Sequence, residues 1–310
     1  MVLYKEFKNS IKSYDTEEKL DLVLYRPAGF LIAKVSSLFL LTPTMLSLLG
    51  LACGILASYY YLNSHNQSSL ILGSLYFVLS GIFDSADGQL ARITNQSTKL
   101  GLILDGICDS IVTIFIYAAC SWKFVELYGP FFILIVCTGL YLHSCQCAIL
   151  DFYHREYLYF GYGKTENDTY WNPGIEDGML LVKNSAGIKE RIMNGLRLTW
   201  IKKQQGLTSR SDSLRQAMRR TLLNATDEKR EIFMKIYRQN NLWILSFWRL
   251  IGVNAHTVLA IAFIFLGRFD IYIVAFDIIV LNLIILAVGN VQRKADEKLF
   301  LALEPIVHDR

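Results

Sequence analysis

The sequence predicts an all-α integral membrane protein with six transmembrane helices, an interfacial amphipathic helix before them and a long cytosolic insert between helices 4 and 5. The 310 residues are 53% hydrophobic and have a mean hydropathy of +0.33, which is high for a soluble protein. The apolar residues are also clustered into segments that approach the roughly 20 residues a helix needs to cross a bilayer. A soluble helical protein with long core helices is the alternative, but soluble domains rarely expose so little polar surface between their helices.

Six apolar segments are the candidate transmembrane helices. They are residues 45–62, 70–91, 100–119, 131–150, 253–266 and 271–288. The chain is accordingly divided into four parts. These are a cytosolic segment with the interfacial helix (1–42), helices 1–4 (43–150), a cytosolic basic helical insert (151–248), and helices 5–6 with a cytosolic tail (249–310).

The first part of the chain carries charges rather than a secretory signal. Several Lys, Glu and Arg residues precede any long apolar run, so we expect the amino terminus to stay cytosolic. Residues 24–41 then suit a helix in the membrane interface, opened by Pro27 and carrying Lys34 among apolar positions. A short additional span is the alternative for this segment, and it would invert the topology.

The charges of the connections predict the orientation. The 1–2 connection has no basic residue, and the 3–4 and 5–6 connections have only Lys123 and Arg268. In contrast, the 2–3 connection carries Arg92 and Lys99, the insert is basic, and the tail begins QRKADEK. Both termini, the 2–3 turn and the insert are therefore predicted to be cytosolic.

Four aspartates interrupt the second and third apolar segments. The stretch DSADGQLARITNQSTKLGLILDGICD holds Asp84, Asp87, Asp105 and Asp109, two on each side of a polar reversal. Asp84 and Asp105 each lie about 10–12 Å from the turn at 1.5 Å per residue, so an antiparallel pair of helices brings them to similar depth. A carboxylate inside a bilayer must face a cavity, a partner or a metal. Because clustered carboxylates repel one another, we expect them to bind hard cations such as Mg²⁺, Mn²⁺ or Ca²⁺.

The residues around the acids complete a candidate site for phosphoryl transfer. Gly88, Ala91 and Gly101 leave room beside the acids, and Arg92 and Lys99 stand at the rim, where an anionic phosphate would enter. Two metals there would neutralise a diphosphate and its leaving group. The alternative of another class is a cation transporter or channel, since intramembrane aspartates also mark ion pathways. That alternative leaves the positions of the small residues and of Arg92 unexplained.

A known signature is contained in residues 84–109. They read Asp84-x2-Asp87-Gly88-x2-Ala91-Arg92-x8-Gly101-x3-Asp105-x3-Asp109, a pattern that resembles the CDP-alcohol phosphotransferase family at every fixed position. The resemblance implies a six-helix membrane fold preceded by an interfacial helix and usually assembled as a homodimer. It also implies an enzyme that moves a substituted phosphate from a CDP-alcohol to an acceptor alcohol and releases CMP.

The resemblance further implies a role for each residue of the signature. Asp84, Asp87 and Asp105 would hold two divalent cations, Mg²⁺ or Mn²⁺. Asp109 would be the general base, also within reach of a metal. The CDP group would lie against the remaining positions, Gly88, Ala91, Arg92 and Gly101.

A weaker resemblance lies at the start of helix 1. The segment TPTMLS stands where family members often have Pro-Asn-x-x-Thr, with Pro43 kept and with Thr44 and Ser47 as replacements that still form hydrogen bonds. The resemblance implies that Thr44 and Ser47 help to hold the CDP group. The alternative is a purely structural cap of helix 1 by Thr42 or Thr44.

The insert between helices 4 and 5 falls outside the resemblance. Residues 151–178 are rich in Tyr, Gly and acids, which predicts a loop, and residues 213–238 predict one or two helices with a break near Asn224. Residues 188–203 predict a basic amphipathic helix, with apolar positions at Ile188, Ile192, Leu196 and Trp200. A subdomain over the mouth of the active site, a surface that docks on the membrane and a site for a partner protein are its three open roles.

The acceptor alcohol is the least specified part of the reaction. The family takes either CDP-diacylglycerol with a small alcohol, such as serine, inositol, inositol phosphate or glycerol phosphate, or a CDP-linked head group with a lipid alcohol. We expect the first, and no nucleic-acid partner. A phosphorylated acceptor needs basic residues near the aspartates, and Lys99, Arg155 and Arg249 at cytosolic helix ends are the candidates. Ordinary snorkelling at the interface is the alternative for each of the three.

Overall fold

The structure is a computed structural model that describes residues 2–11, 13–64, 66–163, 175–208 and 212–308. Within these ranges the chain forms helices and no strand. Six helical segments are long and apolar enough to cross a membrane, namely Pro43–Leu62, Gln67–Ile93, Gly101–Tyr128, Phe132–Tyr162, Asp227–Phe265 and Phe269–Ala302. The predicted fold class, an all-α membrane protein with six spans, is therefore confirmed.

Two helices precede the first span. Helix α1 comprises Val2–Ser10, and a π-helical turn, Asp21–Tyr25, leads directly into α2, Arg26–Leu38. Pro27 lies in the first turn of α2, but the prediction that it opens the helix is wrong, since residues 19–25 before it are already helical. This continuous helical segment, 19–38, is not among the six candidate spans. Its position in the membrane interface stays a prediction.

The first four spans are built on α3, Pro43–Leu62, α4, Gln67–Ile93, α5, Lys99–Tyr128, and α6, Phe132–Tyr162. Side-chain caps mark where three of them begin. Thr42, Asn66 and Thr98 accept hydrogen bonds from the backbone amides of Met45, Ser69 and Gly101, respectively. Each cap satisfies a donor that a helix start leaves unpaired, so the turns between the spans are fixed by local sequence.

Two predicted connections are wrong because α5 and α6 are longer than their apolar segments. Residues 121–128 continue α5, which ends at Gly129, where φ is +85° and glycine is favoured. Residues 151–162, predicted as a loop, are the last three turns of α6. The i,i+4 ion pair of Arg155 and Asp151 (2.9 Å) and the burial of aromatic side chains support these turns.

The predicted insert contains four helices, α7–α10, with bounds Ile175–Lys183, Ile188–Thr208, Asp212–Leu223 and Asp227–Trp248. The helix predicted at 188–203 is confirmed and extends to Thr208. The break predicted near Asn224 is also confirmed, since α9 ends at Leu223 and Thr226 caps α10. The loop prediction is wrong for 175–178, and its stretch 164–174 lies outside the described residues.

The fifth candidate span begins earlier than predicted, because the segment Asp227–Phe265 joins α10 through a 3-10 turn, Arg249–Ile251, to α11, Val253–Phe265. The sixth lies in the segment formed by α12, Phe269–Ile271, a π-helix, Tyr272–Val280, and α13, Leu281–His308.

The chain divides into two compact units. The first comprises Met1–Tyr141 and His256–Ile278, and the second comprises Leu142–Ala255 and Ile279–Arg310. In the first unit, the core is a cluster of apolar and aromatic side chains that includes Ala57, Ile116, Tyr117, Phe269 and Tyr272. In the second unit, an aromatic cluster forms around Tyr157, Phe160, Phe233 and Tyr237. The four aspartates of the signature belong to the first unit.

Candidate active site

Three of the four signature aspartates meet at one point. Asp84 on α4 and Asp105 and Asp109 on α5 each bring a carboxylate oxygen within 4.8 Å of the other two. The reversal between the two helices makes this possible, because it sets the last turns of α4 beside the first turns of α5. The three acids line a small cavity together with Ser47 and Ser80.

The fourth aspartate is held differently. Asp87 is only 5% exposed and accepts a short hydrogen bond from the Oγ of Ser47, in the first turns of α3. It also lies within electrostatic range of Asp84 and Asp105. Ser47, predicted to contact the CDP group, thus has a structural partner among the acids and also faces the cavity.

Exposure differs among the four acids. Asp87 is buried, Asp84 and Asp105 are partly buried, and Asp109 is exposed. The side chain for which we predict a base is therefore the one with the largest exposed fraction among the four.

The acid cluster fits divalent cations. Oxygen atoms that coordinate one hard cation at about 2.0–2.6 Å can be no more than about 4–5 Å apart, and the three carboxylates meet that limit. Among the side chains that the structure describes, none of the four aspartates takes part in an ion pair. Carboxylates so close together need cations or protons to offset their repulsion, and carboxylate oxygens are the ligands that Mg²⁺ and Mn²⁺ prefer.

The small residues of the signature have unequal surroundings. A methyl group built on Gly88 would lie 3.5 and 3.6 Å from the two terminal nitrogens of Arg92, so the guanidinium covers this glycine. Gly101 lies in the first turn of α5, where its amide donates to the Thr98 hydroxyl at 3.0 Å. Ala91 is partly buried. The surface at Gly88 that we expected to receive the nucleotide is therefore shared with Arg92.

The remaining predicted site residues are less connected to the acids. Thr42, rather than Thr44, caps α3, and Thr44 is partly buried beside it. The side chain of Lys99 lies outside the described part of the chain. Arg155 pairs with Asp151, and Arg249 opens a 3-10 turn; both belong to the second unit. A role of these three residues in acceptor binding stays a prediction.

Some residues of the site were not predicted. Ser80 lines the cavity one helical turn before Asp84, and this i−4 spacing was the signal that could have found it. Gly50 accepts a hydrogen bond from Ser80 through its backbone oxygen at 2.8 Å, which joins α3 to α4 beside the acids. Ser10 contacts Arg92, which is 82 residues away in the sequence, and no local sequence pattern predicts that contact.

Comparison with known proteins agrees with this site. Residues 40–156 match the family described as CDP-alcohol phosphatidyltransferase. The chain is 35% identical over 95 residues to a CDP-diacylglycerol–glycerol-3-phosphate 3-phosphatidyltransferase of Aquifex aeolicus, a match that covers 30% of this chain and 51% of the relative. It is 39% identical over 72 residues to a putative cardiolipin synthase of Mycobacterium tuberculosis, covering 23% and 33%. It is 27% identical over 78 residues to a CDP-diacylglycerol–inositol 3-phosphatidyltransferase of Drosophila melanogaster, covering 25% and 33%.

The six spans define a multi-pass membrane protein with an acid cluster on its second and third spans. Residues 40–156, the part of the chain that matches the CDP-alcohol phosphatidyltransferase family, hold all four aspartates. The chain spans about half the length, or less, of the curated relatives that it matches.

Proposed function

We propose that this protein transfers a substituted phosphate from a CDP-alcohol to the hydroxyl of an acceptor alcohol and releases CMP. The observation that carries the proposal is the convergence of Asp84, Asp105 and Asp109, all from the family signature, in one cavity. CDP-diacylglycerol is the proposed donor, supported by the names of two relatives. The proposed acceptor is a small polar alcohol or its phosphate.

Asp84, Asp87 and Asp105 are the residues that would hold two divalent cations, Mg²⁺ or Mn²⁺. Asp109 would lie within reach of a cation, since its carboxylate is within 4.8 Å of those of Asp84 and Asp105. Bound there, the cations would supply positive charge to the diphosphate of the donor and to the leaving CMP. The chain's own contribution is orientation. Ser47 fixes the carboxylate of Asp87, and α3, which packs against both α4 and α5, sets the distance between Asp84 and Asp105.

Asp109 would accept the proton of the acceptor hydroxyl. As the acceptor oxygen forms its bond to phosphorus, the bond from phosphorus to the CMP oxygen breaks, and CMP leaves with the electron pair. A carboxylate that holds a metal tightly is a poor base, so the exposed Asp109 suits this role better than its three neighbours. The transfer is direct and needs no covalent intermediate on the protein.

We further propose that the site faces the cytosol and that the protein forms a homodimer. The orientation is supported by Arg92 and Lys99, at the helix ends on either side of the turn between α4 and α5, and by the basic stretch at 292–298 near the end of the sixth span, compared with the few basic residues in the opposite connections. The homodimer is supported only by the resemblance to the family.

The experiment that tests the proposal measures CMP release by purified protein in lipid nanodiscs. CDP-diacylglycerol is supplied with Mg²⁺ or Mn²⁺ and, in separate reactions, with serine, inositol, inositol phosphate or glycerol phosphate. We expect release with one acceptor and none from the Asp109→Asn variant. CMP release only from CDP-choline with diacylglycerol would instead show a head-group transferase. Cation uptake by proteoliposomes without any CMP release would contradict the proposal and favour a transporter.

A further inference from the structure

Arg92, the basic residue of the signature, forms a hydrogen bond with a residue outside the membrane spans. Its Nε donates a hydrogen bond of 2.5 Å to the backbone oxygen of Ser10, the last residue of α1. The carbonyls at the carboxyl end of a helix lack helical partners and carry partial negative charge, so they suit a guanidinium. With Nε fixed, the planar guanidinium has one orientation, and its two terminal nitrogens lie over Gly88.

Ser10 is in turn held by the signature helix. It is 1% exposed, and its hydroxyl accepts a hydrogen bond of 3.0 Å from the Nε2 of Gln89 while donating to the oxygen of Phe7 at 2.7 Å. Gln89 is completely buried. Ser10 therefore contacts two residues of α4, Gln89 through its side chain and Arg92 through its backbone.

Helix α1 is anchored to α2, which gives Ser10 a fixed position. Glu6 forms an ion pair with Lys34 at 2.6 Å, and the rings of Phe7 and Phe30 pack edge to face with centroids 5.4 Å apart. A side chain on Gly29 would come within 2.6 Å of the Gln89 amide oxygen, so α2 lies directly against the residue that holds Ser10.

The segment between α1 and α2 is tied to the same helix. Arg26 pairs with Glu17 at 2.9 Å and donates to the hydroxyl of Ser85 at 3.2 Å, next to Asp84. Burial, together with nearby carboxylates such as Asp84, raises the pKa of Tyr25 to about 12. Ser10, at the end of α1, and Arg26, at the start of α2, thus both contact α4 close to the acid cluster.

We infer that Ser10 is a positioning residue for Arg92, with Gln89 as its clamp, and that Arg92 so oriented binds the phosphate groups of the CDP-alcohol at Gly88. The inference rests on the proposed function. A guanidinium that is already immobilised loses less conformational freedom when the phosphate binds. Ser10 therefore acts on nucleotide affinity and leaves proton transfer at Asp109 unchanged.

The test measures the affinity of purified full-length protein in nanodiscs for CMP with Mg²⁺, and in parallel the KM for the donor. We expect Ser10→Ala to weaken CMP binding and to raise the donor KM by about 2- to 10-fold, the range set by freezing one long side chain. The value of kcat and the KM for the acceptor should stay within about 2-fold, because no transition-state contact is removed. Gln89→Met removes the amide that donates a hydrogen bond to the Ser10 hydroxyl and keeps a side chain of similar volume. It should therefore have the same effect as Ser10→Ala.

Two comparisons separate positioning from general destabilisation. Ser37→Ala is the matched control, since the Ser37 hydroxyl also donates to a backbone oxygen three residues earlier at 2.7 Å, at the end of α2. It should leave CMP affinity unchanged. In an Arg92→Lys background, Ser10→Ala should cause no further loss, because Lys has no Nε donor to orient.

The outcomes test the role of Ser10 and the proposed function separately. If wild-type protein binds CMP and Ser10→Ala binds it equally well, or if the effects of Ser10→Ala and Arg92→Lys simply add, the inference about Ser10 is wrong and the proposed function stands. If wild-type protein neither binds CMP nor releases it from any CDP-alcohol, the proposed function is wrong, and so is the role given to Ser10.

Discussion

Two charged clusters in this protein are built in opposite ways. The acid site collects four carboxylates, and no ion pair to a described side chain offsets them. The ionic network of the second unit, formed by Glu156, Arg215, Arg219 and Asp296, pairs two acids with two arginines. Arg215 contacts Glu156 at 3.4 Å and Asp296 at 2.9 Å, and Arg219 forms a short ion pair with Glu156.

Charge balance is what distinguishes the two clusters. Burial alone would lower the pKa of Arg215, but Asp296 and other neighbours raise it above its ordinary value, and the rings of Phe152 and Tyr153 lie 5.2 Å from its guanidinium carbon. The network is therefore satisfied by protein groups alone. The acid site has no such partners among the described side chains, and we propose that cations from solution balance it. A balanced buried network has the properties of a structural element, whereas an unbalanced one has those of a binding site.

The largest expected effect is on catalysis. Asp109→Asn should reduce kcat by about 10²–10⁴-fold, the range for loss of a general base, with little change in the donor KM. Thermal stability should stay the same or increase, because one of four mutually repelling charges is removed. Turnover in the nanodisc assay and a thermal melt of the same sample check both expectations. Near-normal turnover would remove Asp109 from the mechanism.

The largest expected effect on stability comes from the other cluster. Arg215→Met should lower the free energy of unfolding by about 3–5 kcal/mol, because it leaves Asp296 buried without its ion-pair partner. Thermal melts in detergent measure the loss. The double change Arg215→Met and Asp296→Asn should recover most of it, since Glu156 keeps its ion pair with Arg219 and no buried charge is then left uncompensated. A double variant as unstable as the single one would contradict the charge argument.

Cations should distinguish the two clusters directly. Mg²⁺ or Mn²⁺ at 100 times its dissociation constant should stabilise the wild-type protein by about 2.7 kcal/mol through binding to the folded state. Asp84→Asn should abolish this stabilisation, and excess EDTA should abolish turnover until Mg²⁺ or Mn²⁺ is restored. Arg215→Met, although less stable, should keep the full response to the cation. An equal response in all three proteins would place the cation outside the acid site.

The smallest expected effect concerns support of the acid site. Ser47→Ala removes the hydroxyl that fixes Asp87 and should weaken Mn²⁺ affinity by about 10-fold, the lower end for loss of an outer partner of a ligand. Calorimetric titration with Mn²⁺ measures it. Ser58→Ala is the matched control, because Ser58 is a buried serine of the same helix that donates to the backbone oxygen of Gly54 at 2.9 Å. Equal affinities in the two variants would show that Asp87 needs no such support.

Local sequence was sufficient for the number and order of the spans and for the meeting of the acids. The six spans follow from six apolar runs, and the aspartates on α4 and α5 meet because a short polar reversal joins their helices. The carboxyl ends of α5 and α6 could not be predicted this way. Their last turns mix charged and aromatic residues, and packing in the folded protein makes them helical.

Contacts between distant parts of the chain escaped prediction for a related reason. Ser10 and Arg92 are 82 residues apart, and Arg215 and Asp296 are 81 residues apart. Charge and hydrogen-bonding capacity are visible in the sequence, but which groups pair depends on how the helices pack. Sequence therefore identified the unbalanced acids, whose spacing is local, and missed the balanced network, whose members are spread over three helices.

The spread of the ionic network has a consequence for the synthesis of the chain. Glu156 lies at the end of α6, Arg215 on α9 and Asp296 in the last helix, so the network is assembled from three widely separated stretches. A nascent chain that has inserted its first five spans holds Arg215 and Glu156 but not yet Asp296. The second unit can reach its final packing only after the sixth span has been made. A chain truncated before residue 296 would therefore keep every aspartate of the acid site but would leave Arg215 without one of its two acidic partners.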